Sequence, residues 1–343
     1  MTSNNSQIMS NKVLQGAYYN RVMSKDFENI ILKDYQWLIN YVKNDKELDF
    51  QTGFDQKQKK SWFSVYRGTS RILQITYYEN SKKIKIDAAD AYKELDTQIF
   101  KSQHVDEKML AQYLVAIREN PRFGRYYIDS KGIKKEGYYQ TLISRRYTFE
   151  NAIDDDFIIF DKEFVIGFRD EDFKKKWNEG LVKIQEKHLD ELRKTSSDKL
   201  PEDIKLEYGE FDFMGLTWDG DLIIMELKKD ASNGLSPIQI AYYDLQFSKL
   251  LSEGMVDQLD AVIKSMIEQK RRLGLIKRTP KATELPKGLS GVVKLYIIIG
   301  NEKNVSKTIK NRFAITKKAF KVEGVNVFTC EADGTLRPSA QFK

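Results

Sequence analysis

The stretch DGDLIIMELKKD, residues 219–230, decides how the chain is read. Leu222 to Met225 form an unbroken apolar run, which predicts a strand buried on both faces. Glu226 and Lys228 follow two residues apart, side by side on one face of that strand, because strand side chains alternate with period two. Charges at the end of a buried strand are costly unless they serve a site. Upstream, GEFDFMGLT (209–217) reads as the partner strand, and the turn between them fixes what faces Glu226. A two-residue loop, Asp219-Gly220, sets Asp212 against Leu227 and sends Glu226 to the other face. A three-residue loop, Trp218-Asp219-Gly220, with Gly in the left-handed position closes on Thr217 and Asp221. It sets Asp212 directly opposite Glu226, and this is the register adopted. Asp212, Glu226, Lys228 and Glu210 then share one face, while Phe211, Phe213, Met225 and Leu227 fill the other. Two carboxylates whose Cβ atoms are about 5 Å apart repel, and a hard divalent cation compensates them better than Lys228 alone.

The flanking sequence supplies a framework. Phe173, Trp177, Leu181, Ile184, His188 and Leu192 recur at three and four residues and predict a long helix over 170–194. TSSDKLPED (195–203) breaks it. After the hairpin, Ser236 as N-cap and Pro237 in the first turn open a helix through IQIAYYDLQFSKLL. A second helix spans about 256–273, GVVKLYIIIG (291–300) is another buried strand, a basic helix follows, and VNVFTC (325–330) is the last strand. This order predicts an α/β fold, a central mixed sheet flanked by helices, over residues 166–343. Residues 1–165 read as an α+β domain with a recognition or regulatory role. It holds helical sequence at 25–45, two or three strands in 62–86 and an amphipathic helix at 106–120 stopped by Pro121. β-like residues then end in a hairpin, FIIFDKEFVIGF (157–168).

Composition excludes several classes. Cys330 is the only cysteine and His104 and His188 the only histidines, which removes disulfide scaffolds and thiolate or histidine-rich metal sites. No apolar run is long enough for a membrane helix, and the first residues lack the apolar core of a secretory signal. Both point to a reducing, cytoplasmic compartment. The net charge of +7 is uneven: from Met255 onward eighteen Lys and Arg face eight Asp and Glu, a net of +10 against −3 for the rest. A basic region beside an acidic site suits a polyanion partner.

Asp212, then Glu226-Leu227-Lys228 at the end of an apolar strand, resembles the PD-(D/E)xK nuclease superfamily, although Phe211 stands where the proline of that name would be. Gln239 and Tyr243, at i and i+4 on the next helix, resemble the Q-x-x-x-Y motif of the RecB-like branch, whose residues border the active site. The resemblance covers about residues 170–335 and implies a restriction-endonuclease-like core. It implies that Asp212 and Glu226 bind Mg2+ or Mn2+, with the Leu227 carbonyl as a further ligand. Lys228 would hold or help deprotonate the attacking water and stabilise charge on the phosphate. Some members add a glutamate from the preceding helix, for which Glu179 and Glu186 are the candidates, and Glu210 is a third. Lys270, Arg271, Arg272, Lys277, Arg278 and Lys281, together with Lys303, Lys307, Lys310, Lys317 and Lys318, would then position phosphates. The expectation is a metal-dependent nuclease acting on DNA, in a restriction or Shedu-type antiphage setting. An RNA-directed nuclease, or a non-catalytic binding or scaffold module that keeps the fold, is the alternative, and homo-oligomer formation is left open.

Overall fold

A computed structural model describes residues 16–95, 97–101, 105–150, 155–197, 199–231, 234–277, 287–302 and 305–342. Arg278, Lys281 and Lys303 lie outside the described residues. After a short strand β1 (Ala17–Tyr18), helices α1 (Lys25–Asp34) and α2 (Gln36–Asn44) precede an antiparallel sheet. Its strands are β2 (Leu48–Asp55), β3 (Lys60–Arg67), β4 (Ser70–Tyr78) and β5 (Lys83–Asp87), in that spatial order. Short helices α3 (Asp90–Lys93) and α4 (Thr97–Lys101) lead to α5 (Glu107–Glu119), whose N-cap Asp106 accepts from the Met109 amide. The next helix is α6 (Glu136–Arg146).

The second sheet is mixed. Its strands are β6 (Phe157–Phe164), β8 (Phe211–Thr217), β9 (Leu222–Asp230), β10 (Val293–Asn301), β11 (Asn326–Cys330) and β12 (Leu336–Pro338). Between them come β7 (Gly167–Phe168), α7 (Glu171–Thr195), α8 (Ser236–Leu250), α9 (Val256–Arg272) and α10 (Lys307–Ala319). The spatial order is β12-β11-β10-β9-β8-β6, with β9, β10 and β11 parallel and the other neighbours antiparallel. Helices α7 to α10 cover one face through Trp177, Leu181, Ile240, Phe247, Ile263 and Phe313. Helix α6 covers the other with Tyr139, Ile143 and Tyr147 against Phe213, Met225 and Leu227. The chain is thus an α/β protein with a mixed sheet flanked by helices. Among the described residues no helix is long and apolar enough to cross a membrane.

Several local expectations change. Residues 157–168 do not form a hairpin: β6 bulges between Ile159 and Asp161 and pairs with β8, while β7 pairs with β1. The strand β6 therefore belongs to the large sheet, although it lies before the expected boundary at 165. Residues 136–146 are helical rather than β-like. Their buried side is mostly polar, with Gln140, Thr141, Ser144 and Arg145, so apolar periodicity gives no helix signal. Arg145 donates to the carbonyls of Val42, Lys43, Asp45 and Leu48, neutralising the negative C-terminal end of α2. On α7, Ile184 is 38% exposed and Gln185 takes the buried position instead. Ser236 is not the N-cap: it is the first residue of α8, after Leu235. The edge strands β2 and β12 were not anticipated, and Pro338 sits in β12, an outer strand that tolerates a missing donor.

Candidate active site

The β8–β9 turn closes as a three-residue loop. The Thr217 amide donates to the Asp221 carbonyl at 3.0 Å, and the Gly220 amide donates to the Thr217 carbonyl at 3.1 Å. Gly220 has φ of 91°, and a Cβ there would stand 2.0 Å from the Gly288 carbonyl oxygen, so only glycine fits. The pairs Leu216–Leu222 through Phe213–Met225 follow, and one more step sets Asp212 opposite Glu226. At that step β8 leaves the ladder. The Leu227 amide donates to Asp212 Oδ2 at 2.6 Å instead of to a β8 carbonyl, which pins the Asp212 carboxylate beside Glu226. The Leu227 contribution shown is this amide.

Glu226 is fully buried. Its Oε1 accepts from Lys228 Nζ, and its Oε2 has no hydrogen-bond partner. Lys228, a third exposed at its side chain, also donates to Gln239 Oε1 at 3.0 Å. Gln239 Nε2 donates to the Tyr243 hydroxyl at 2.6 Å, and that hydroxyl donates to the Glu210 carbonyl. The two residues at i and i+4 on α8 therefore tie the lysine on β9 to the entry of β8. Phe211, expected on the far face, instead stacks on Tyr243 with ring centroids 4.0 Å apart.

Burial, reinforced by Asp212, raises Glu226 well above the usual carboxylate range. Burial also raises Asp212 to about 7; Lys228 opposes this and Glu136 adds to it. For Lys228, burial disfavours the ammonium, but Glu226, Asp212 and Glu136 outweigh that and raise its pKa. Lys228 is a cation here, not a free base.

Glu136, the first residue of α6, was not among the sequence candidates. Its Oε2 accepts from the Lys229 amide at 3.3 Å, and its charge acts on Asp212, Glu226 and Lys228. Gly137 holds it there, since a Cβ at 137 would meet the Tyr126 carbonyl oxygen at 2.3 Å and Gly68 Cα at 2.8 Å. Only its place at a helix start after a basic run hints at it in the sequence. Glu179 and Glu186 are exposed on α7, lining a surface hollow with Asn178 and Glu207. The Glu210 side chain is exposed, and its charge adds to a burial-driven rise at Glu163. None of these three acids has a contact with Asp212 or Glu226 among the described interactions.

The basic candidates divide. Lys270 is 8% exposed, with Nζ on the Phe160 carbonyl, and Arg272 pairs with Glu28. These two serve the fold, because α9 packs against β6 and α1. Arg271 is half-buried on the same helix, Lys277 and Lys307 are exposed, and Lys310 is half-buried. Lys317 donates to the Val325 carbonyl at 3.4 Å, and Lys318 is exposed. His188 is half-buried against Phe320, with its pKa lowered by burial, as suits a core histidine.

Among the described residues no group of three or more His, Cys, Asp and Glu side chains is arranged to hold a metal ion; the two buried acids that meet at this site are Asp212 and Glu226. The unpartnered Glu226 Oε2 fits a hard cation, which takes few protein carboxylates and keeps water on its other positions. The chain matches no family model, no curated protein and no solved structure.

Proposed function

We propose that the chain is a metal-dependent nuclease of the PD-(D/E)xK class, in its RecB-like branch, that hydrolyses phosphodiester bonds in DNA. The observation that carries this reading is the Asp212 carboxylate of β8 held beside Glu226 of the central strand β9, with Lys228 held between Glu226 and Gln239. Support also comes from the order of a long helix, an antiparallel hairpin, a helix, and parallel strands joined by a helix, which agrees with a restriction-endonuclease-like core. The setting proposed is restriction or antiphage defence.

Asp212 and Glu226 would hold Mg2+ or Mn2+. The bound cation would polarise a phosphoryl oxygen and lower the pKa of water. Lys228, as an ammonium, donates a hydrogen bond to the attacking water and offsets charge that grows on the phosphate. Gln239 fixes the direction of that ammonium, and Tyr243 fixes Gln239.

The reading is tested by incubating supercoiled, linear and single-stranded DNA with Mg2+ or Mn2+ and the wild type, Glu226→Ala or Lys228→Ala. Cleavage by wild type and a loss of at least about a thousandfold in either variant is expected. Equal cleavage by all three would rule the site out.

A further inference from the structure

Two of the lysine and arginine positions expected to hold a polyanion, Lys270 and Arg272, are taken up by the fold. A different basic element stands beside the site. Residues 134–139, which follow the turn at 129–133, run along the carboxyl ends of the three parallel strands. At the end of β9, Glu136 accepts from the Lys229 amide. Near the end of β10, the Tyr139 ring fills the space of a side chain at Gly300, where a Cβ would be 2.4 Å away. At the end of β11, burial raises the Cys330 thiol to about 12, and Lys134 stands near enough to oppose that shift. Ligands of open α/β sheets meet the protein at this edge.

The turn before α6 is built rather than loose. Asp129 Oδ1 accepts from the Lys131 and Ile133 amides, both at 2.9 Å, and the Asp129 carbonyl accepts from Gly132 at 2.9 Å. Ile128 bridges to Lys134, and Lys135 pairs with Asp129 at 2.7 Å. This leaves Lys131 and Lys134 exposed, with Ile133 between them 46% exposed. Lys134 lies 4.3 Å from the centroid of the Tyr138 ring. A preordered turn presenting two ammonium groups and an apolar tip loses little entropy on binding a charged backbone.

We propose that the turn at 129–135 is the docking surface for the DNA backbone next to the scissile bond, with Lys131 and Lys134 on phosphates and Ile133 against a sugar. This rests on the nuclease reading above. Phosphate contacts of this kind position a strand without reading its sequence.

The test is fluorescence anisotropy of a labelled DNA duplex in EDTA, across about 50–200 mM salt. Lys131→Glu/Lys134→Glu is compared with Lys108→Glu/Lys187→Glu, a control with the same change of charge at exposed positions elsewhere. The turn variant should bind at least about tenfold more weakly than the control, with a salt slope smaller by about 2. Its melting temperature should match the control. Binding equal to the control, by a wild type that binds and cuts DNA, would overturn the surface alone. A wild type that neither binds nor cuts DNA would overturn the nuclease reading with it. Tighter binding of a single-stranded RNA than of the duplex would overturn the assignment to DNA.

Discussion

Glu226 has no exposed surface, yet one of its carboxylate oxygens has no hydrogen-bond donor. Burial and the neighbouring Asp212 raise its pKa even though Lys228 donates to the other oxygen. Asp212 has the same tendency, with burial foremost in raising it to about 7. In the unfolded chain Asp212 loses its proton near pH 4, so folding takes up a proton between about 4 and about 7. The stability it contributes is full below that window and is lost as pH rises through it. In EDTA the melting temperature should therefore fall between about pH 4 and about pH 8, and Asp212→Asn should flatten the fall. The variant should match wild type at the acid end and exceed it at the alkaline end; parallel curves would contradict the shift. Gln239 acts through Lys228, so Gln239→Ala should lower kcat by roughly 10–100-fold while leaving the DNA dissociation constant in EDTA unchanged. A change in DNA binding with kcat intact would contradict that role. That Glu226 and Lys228 lie side by side was legible because strand side chains alternate with period two. Glu136 was not, because its place at the site depends on α6 docking against β9, which no local pattern records.

At the scale of elements, the β8–β9 hairpin was readable from parity and one glycine. Gly220 with φ of 91° and the Gly288 carbonyl against it make the three-residue turn obligatory. Gly220→Ala should cost about 1–3 kcal/mol in chemical denaturation, and more if the segment at Gly288 cannot move. Wild-type stability in that variant would mean that the turn is not the one described. Helix α6 escaped sequence reading for the converse reason. Its buried face carries Gln140, Thr141, Ser144 and Arg145, whose energetics depend on partners in α2, the β3–β4 turn and β6. The segment 157–168 failed as a hairpin because alternation identifies a strand but not its neighbour, and β6 found β8.

Across the whole molecule, β6 is the seam of buried charge at which the large sheet meets β2, the residues after β1 and α9. Lys162 donates to Asp49 at 2.6 Å, Tyr19 donates to Asp161 at 2.7 Å, and Lys270 reaches the Phe160 carbonyl. The sequence placed Lys270 in a surface patch because a run of like charges reads as solvated, whereas pairing across elements distant in the chain decides otherwise. The expected boundary at 165 likewise separates β6 from its own sheet, since composition does not change there. Asp49→Ala strands Lys162 in the interior and should destabilise the chain by about 3–5 kcal/mol, while Asp49→Leu/Lys162→Met should recover most of that loss. A double variant no more stable than the single one would show that the pair is not the reason. Beside this seam, Gln140 of α6 donates to Glu163 of β6 at 3.1 Å, which ties α6, and with it Glu136, to the sheet that carries Asp212 and Glu226.

Asp212 and Glu226 are proposed to form a cation site. Calorimetric titration with Mn2+ tests it without reference to cleavage. The wild type should bind Mn2+ at this site, and Glu226→Gln, which keeps the shape of the side chain and removes its charge, should lose that binding. Titration of Glu226→Gln with the same stoichiometry and affinity as the wild type would contradict the account.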